Sequence, residues 1–159
     1  MESQRLFCTF RVDGRLFGVD LLDVKEVTAE TTYTHVAHAP DEVLGLVNIR
    51  GHIYLALDLR RLLGVPAREI TGESRLVLFK PSVGSAFGVV VDQISEIQTA
   101  ESNLIEVFTR NDHESTLANV RRVDLIDAVC KLSGELLVIL NPRRFLAVVE
   151  QKLSAIATA

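Results

Sequence analysis

The chain has 159 residues, a formal charge of −4, 48% apolar and 24% charged residues. That suffices for one folded domain with its own core, and the acidic balance argues against general affinity for nucleic acid or an anionic membrane. The longest run free of Asp, Glu, Lys and Arg, residues 81–91, holds 11 residues, against the ~20 that a membrane-spanning helix needs.

At the start, MESQRLF carries an acidic second residue and no apolar run, so no signal peptide is expected. Cys8 and Cys130 sit in apolar, strand-like runs and are expected as buried, reduced thiols in a cytoplasmic protein. Leu6, Cys8, Phe10 and Val12 alternate with Phe7, Thr9 and Arg11, which predicts a strand. Asp13-Gly14 turns it into a second strand over 16–19. Residues 20–28 have mixed periodicity and read equally as helical turn or strand, and 29–40 read as an irregular connection.

The stretch 45–64 organises the chain. From Val43 to Leu59 every odd position is apolar or glycine, and from 48 onward the even ones are Asn48, Arg50, His52, Tyr54, Ala56, Asp58 and Arg60. Period two over that length predicts β structure with one buried face. It is too long for one strand, and Gly51 divides it, as a hairpin in the favoured reading and as a bulge in the other. Asp58 then caps a short helix with Leu59, Leu62 and Leu63 on one face, ended by Gly64. Residues 68–74 predict a polar loop, 76–79 and 86–91 strands, and 109–115 an exposed hydrophilic loop. Leu146, Val149, Leu153 and Ile156 predict an amphipathic C-terminal helix over about 143–157.

Two segments recur. A shift of 70 lays residues 5–27 on 75–97, with Arg5/Arg75, Leu6/Leu76, Gly14/Gly84, Phe17/Phe87, Gly18/Gly88, Val19/Val89 and Glu26/Glu96 identical. A shift of 83 lays 45–64 on 128–147, with Gly51/Gly134, Leu57/Leu140, Arg60/Arg143, Arg61/Arg144 and Leu63/Leu146 identical. One β unit occurring twice predicts two small barrels, because closure hides strand edges. Asn48, Arg50 and Asp58 become Lys131, Ser133 and Asn141 in the second copy. The polar face of the first copy is therefore the candidate working surface.

Catalytic and cofactor signatures are missing. There is no nucleophile elbow, no C-x-x-C and no phosphate-binding glycine loop. His35 and His38 lack a third ligand at zinc-site spacing and read as loop histidines. Asp20, Asp23 and Glu26 read as a solvated face rather than an acid–base cluster, and the Arg pairs at 60–61, 121–122 and 143–144 as helix-end solvation. No cofactor or metal is expected. Glu26 and Arg50 remain. Arg50 either extends into solvent or forms a guanidinium–carboxylate fork with Glu26.

Asn48-Ile49-Arg50-Gly51 followed by 53–60 resembles the N-(L/I)-R-G-x-(V/I)-x-P-(V/I)-(V/I)-D-L-R signature of the chemotaxis coupling protein family, CheW. Phe17-Gly18-Val19-Asp20, Val24-Lys25-Glu26-Val27, Ala39-Pro40, residues 87–92 and 136–146 extend the resemblance over about 5–150. Leu55 stands where the family often has proline, and Ala128 where it has glycine before the last hairpin.

The resemblance implies a mainly β, single CheW-like domain over 1–159. It would have two SH3-like five-stranded β-barrel lobes related by pseudo-twofold symmetry, with short helices and a C-terminal helix. Lobe 1 would cover about 15–80, and lobe 2 about 81–150 plus the N-terminal strand. It further implies a non-enzymatic cytoplasmic adaptor that couples methyl-accepting chemoreceptor tips to the regulatory domain of the histidine kinase CheA. Glu26, Asn48, Arg50, Val24, Val27 and Ile49 would be receptor-binding, and Gly51, His52, Gly84 and Ser85 kinase-binding. Three other readings stand beside this one: an adaptor of a non-flagellar chemosensory pathway, a small barrel enzyme using a metal at His35/His38, and a detached regulatory domain of a kinase. The chain's own beginning and its finishing helix favour the stand-alone adaptor over the last.

Overall fold

The computed structural model describes residues 3–30, 32–108 and 120–157. The expected loop at 109–115 lies outside the described residues. The strands are β1 (Gln4–Val12), β2 (Arg15–Asp20), β3 (Val24–Thr28), β4 (Val43–Ile49), β5 (His52–Asp58), β6 (Arg75–Phe79), β7 (Phe87–Val91), β8 (Gln93–Glu101), β9 (Ile105–Val107), β10 (Ile126–Leu132) and β11 (Glu135–Leu140). The helices are α1 (Leu59–Leu63) and α2 (Phe145–Ala157), and 3-10 turns include Leu21–Asp23 and Pro142–Arg144. The ambiguous stretch 20–28 is both things in succession, a 3-10 turn and then β3.

One sheet runs β8-β1-β2-β11-β10-β9 and the other β3-β6-β7-β5-β4. Under the two sequence shifts, β1, β2, β3, β4 and β5 correspond to β6, β7, β8, β10 and β11. Apart from β9, which has no counterpart, both sheets then have the same strand order, and of the five shared positions two are filled by one copy and three by the other. The copies have exchanged their first hairpins. Each exchanged hairpin joins the other copy on both sides: through the antiparallel pairs β1–β8 and β6–β3, and through parallel pairs of equivalent register, Phe17 opposite Val138 in one sheet and Phe87 opposite Leu55 in the other. The second hairpins agree as closely: Val43 pairs Leu57 and Gly45 pairs Ala56, while Ile126 pairs Leu140 and Ala128 pairs Ile139, with a bulge at the same place in each.

The sheets therefore do not divide at residue 80. β2 belongs to the six-stranded sheet and β7 to the five-stranded one, because each first hairpin pairs with the second hairpin of the other copy.

Gly51 makes a two-residue hairpin, with Ile49 opposite His52. This corrects the parity expected for 43–59. Across a two-residue loop an odd position faces an even one, so Val47 pairs Tyr54 and both turn into the same small core. Tyr54 is buried and Ile53 is half exposed, the reverse of the odd-in pattern.

Apolar packing forms three clusters. Phe7, Leu16, Cys130, Leu137 and Ile139 fill the six-stranded lobe; Val47, Ile49, Tyr54, Leu76 and Leu78 fill the other. Between them lies the largest core, with Phe10, Phe17, Leu57, Phe79, Phe87 and the inner faces of α1 and α2. Each fully buried Leu or Phe there is worth ~1.5–3 kcal/mol, so the two lobes form one packed body rather than a hinged pair. Cys8 and Cys130 are free and buried within these cores.

α1 follows the expected caps. The Asp58 carboxylate accepts from Arg60 N at 3.0 Å and Gly64 closes the helix at φ 77°. Leu59, Leu62 and Leu63 are fully buried. In the second copy Asn141 caps the turn before α2, accepting from Arg143 N at 3.1 Å.

The arginine pairs are not mere helix-end solvation. Arg60, 5% exposed, donates to Asp92 at 2.5 Å, to Asp13 at 3.1 Å and to the Pro66 carbonyl at 2.8 Å. Asp92 is the residue at which the chain passes from the five-stranded to the six-stranded sheet. Arg143, the counterpart of Arg60, holds Asp23 at the opposite crossing with two bonds of 2.9 and 3.0 Å. Both strand exchanges are pinned by an arginine of the other copy.

Candidate functional site

The β4–β5 tip is built by a local sequence logic. Arg50 and Gly51 both take positive φ, 50° and 87°, the type I′ geometry whose twist suits a two-residue hairpin. A side chain in that region costs about 1–3 kcal/mol, and the Asn48 Oδ1 accepting from Gly51 N at 2.9 Å holds it there. The counterpart turn has positive φ at Gly134 and not at Ser133. Only the first copy keeps the strained tip.

From that tip the Arg50 guanidinium donates to Glu26 Oε1 through one nitrogen. It is a single bond, not the expected two-bond fork. β3 and β4 are the outer strands of the five-stranded sheet, so this pair shows the sheet rolled until its edges face each other. Lys25 adds a second tie, its Nζ 2.8 Å from the Tyr54 hydroxyl and 5.5 Å from the ring centroid. The hydrogen bond from Arg50 holds the Glu26 carboxyl below its ordinary pKa, and Glu26 raises that of Arg50.

The remaining expected residues divide by burial. Asn48 and Val27 are exposed beside the pair, and Val24 is half-buried against the central core. Ile49 is a correction: at 8% exposure it points into the five-stranded lobe and presents nothing to a partner. Leu6, Leu22 and Ile97 carry no motif signal, yet they are 45%, 76% and 61% exposed. Leu6 and Leu22 line a depression of about 240 Å³ beside the Arg5–Asp20 ion pair. Leu6 shares its parity with the buried Cys8, Phe10 and Val12, so alternation alone does not reveal its exposure.

His52 and Ser85, distant in sequence, line one hollow of about 360 Å³ together with Lys25, Ile53, Tyr54, Phe79, Pro81 and Ala86. Gly51 is exposed at its edge, and Gly84 lies half-buried behind Ser85. By the sequence shifts, Pro81 and His52 correspond to Arg11 and Glu135. In the six-stranded lobe those two are joined by paired bonds of 3.0 and 2.8 Å, a bridge that Pro81 and His52 do not make.

Asp20, Asp23 and Glu26 each hold their own arginine, Arg5, Arg143 and Arg50, and Asp23 is buried. They form three separate ion pairs, not an acid–base site. Among the described residues no group of three or more His, Cys, Asp or Glu is placed to hold a metal, so the His35/His38 metal reading finds no third ligand there. No helix among the described residues is long and apolar enough to cross a membrane.

The family model described as "CheW-like domain" matches residues 6–150. A chemotaxis protein CheW from Rhizobium meliloti is 35% identical over 103 residues, 64% of this chain and 65% of that one. Protein PilI of Pseudomonas aeruginosa is 30% identical over 89 residues, 56% of this chain and 49% of its own length. The matched segments thus span about two thirds and about half of those relatives. The crystal structure of the scaffolding protein TtCheW from Thermoanaerobacter tengcongensis superposes with a TM-score of 0.75 at 22% identity, covering 87% of this chain and 89% of that one. That likeness supports the fold.

Proposed function

The chain belongs to the CheW-like domain family, and from that premise we propose that it is a non-enzymatic cytoplasmic adaptor coupling chemoreceptor tips to the histidine kinase CheA in chemotaxis signalling. The observation that carries the reading is Arg50: a charged side chain held at a strained turn by Asn48 and aimed at Glu26, in only one of the two copies. Strain of this kind persists where the surroundings over-determine it, and it clusters at recognition sites. Beside the pair, exposed Val27 supplies an apolar contact, and Leu6, Leu22 and Ile97 extend the exposed apolar surface across the other lobe. An apolar stripe with a charged pair suits a receptor helical hairpin, anchored by the first and held in register by the second. The hollow with His52 and Ser85 is the kinase-facing surface, with Gly51 and Gly84 as its turn residues.

The test is reconstitution. The purified chain, a CheA regulatory domain and a receptor-tip fragment are mixed and run by size exclusion. A ternary complex is expected, and elution as three separate species rejects the reading.

The likeness to PilI favours a second reading, an adaptor of a non-flagellar chemosensory pathway. Identifying which receptor tips co-purify with the chain separates the two.

A further inference from the structure

The hollow on the five-stranded lobe is supported from behind by a helix of the other copy. Phe145, the first residue of α2, packs edge-on against Phe79 with ring centroids 6.0 Å apart, and Phe79 lies on the hollow's wall. Leu146 covers the turn behind Ser85: a Cβ built on Gly84 would stand 2.8 Å from Leu146 Cδ1. That turn is itself strained, with Ala86 at φ 43°. It is tied to the strands by Val83 N to Lys80 O and Leu55 N to Ala86 O, both 2.9 Å. Two turns further along α2, Lys152 Nζ donates to both oxygens of Glu42 at 2.7 and 2.6 Å, and Glu42 is 3% exposed.

We propose that α2 is the positioning element of this hollow: Leu146 holds the 81–86 turn in its strained shape, and the Lys152–Glu42 pair seats the helix that carries Leu146. A side chain at Gly84 would press on both Leu146 Cδ1 and the Phe87 ring, each 2.8 Å from its Cβ. Glu42 is buried while the Lys152 side chain is half exposed, so removing the ammonium leaves a buried carboxylate without its partner and loosens the seat. Anything that loosens the C-terminal helix is therefore felt at the hollow, on the opposite side of Phe79. The partner role of the hollow rests on the proposed function; the positioning role does not.

The experiment is amide hydrogen exchange by NMR on the 159-residue chain and on Leu146→Ala, Leu146→Met and Lys152→Met. In Leu146→Ala and Lys152→Met, the Val83 and Leu55 amides exchange on the order of tenfold faster through local opening. Gly51, whose amide is held by Asn48, keeps its rate, and Leu146→Met restores the parent rates. Parent-like rates at Val83 and Leu55 in both variants, or an equal rise at Gly51, overturn the proposal. Titration with a CheA regulatory domain judges the hollow separately: faster exchange with unchanged affinity removes the hollow from the kinase contact and leaves the positioning role standing.

Discussion

Arg60 and Arg143 occupy the same position in the two copies and do the same job in opposite surroundings. Each reaches an aspartate at the point where the chain crosses between sheets, but the side chain of Arg60 is 6% exposed and that of Arg143 is 52% exposed. One sequence position thus offers a matched comparison of a buried and a half-exposed guanidinium within one fold.

The same substitution should have unequal effects at the two sites. Arg60→Met removes the buried cation from Asp13 and Asp92 and should cost about 3 kcal/mol, the low end for breaking a buried pair because both carboxylates keep some solvent. Arg143→Met should cost less, about 1–2 kcal/mol: the guanidinium it removes is half exposed, but Asp23 is left buried without its partner. Urea denaturation of both variants measures the difference, and equal midpoints would refute the assignment of Arg60 as an interior pin.

Arg50→Glu sets two carboxylates against each other at the tip. Both lie at the surface, so the melting temperature and circular dichroism should stay near those of the parent, while capture of a receptor-tip fragment is lost. Retained capture would take Arg50 out of the contact set.

Glu26 should titrate below the ordinary carboxylate range because Arg50 hydrogen-bonds its charged form. A carboxylate with a depressed folded pKa contributes stability that is fully present above its unfolded value, here 4.5. That contribution is lost as the pH falls through the folded pKa. The pair is therefore intact across neutral and mildly acidic pH and opens only in stronger acid. In Arg50→Met the Glu26 titration, followed by ¹³C NMR of the carboxyl carbon, should move up toward 4.5; an unmoved curve contradicts the pairing.

Gly45 and Ala128 are counterparts just after the same bulge, and they differ for a local reason. Thr34 bridges to Leu46 alongside the first copy, and a Cβ on Gly45 would lie 2.4 Å from the Thr34 carbonyl oxygen, at a φ of 149°. Gly45→Ala should cost about 2 kcal/mol or more, whereas Ala128→Gly should cost about 1 kcal/mol or less. Thermal melts of the pair of variants check this, and a parent-like Gly45→Ala would remove the Thr34 crossing as the explanation.

Much of the fold and part of the site were legible in the residues alone. Period-two runs, the Asp13-Gly14 and Arg50-Gly51 turns, the Asp58 and Gly64 caps and the repetition at two offsets are all carried by neighbours within a few positions, where backbone sterics and local hydrogen bonds decide. The Glu26–Arg50 pair was also within reach, because a charge beside a turn glycine has few places to go. The exchange of first hairpins was not. A β1–β2 hairpin meets β5 or β11 with the same apolar pattern and the same backbone groups, so pairing within a copy and pairing between copies look identical in one dimension. The same blindness hid the buried Arg60, the inward Ile49, the outward Leu6 and Leu22, and the meeting of His52 with Ser85. Whether a side chain is covered depends on which distant surface packs over it, and that is decided only when the three cores close together.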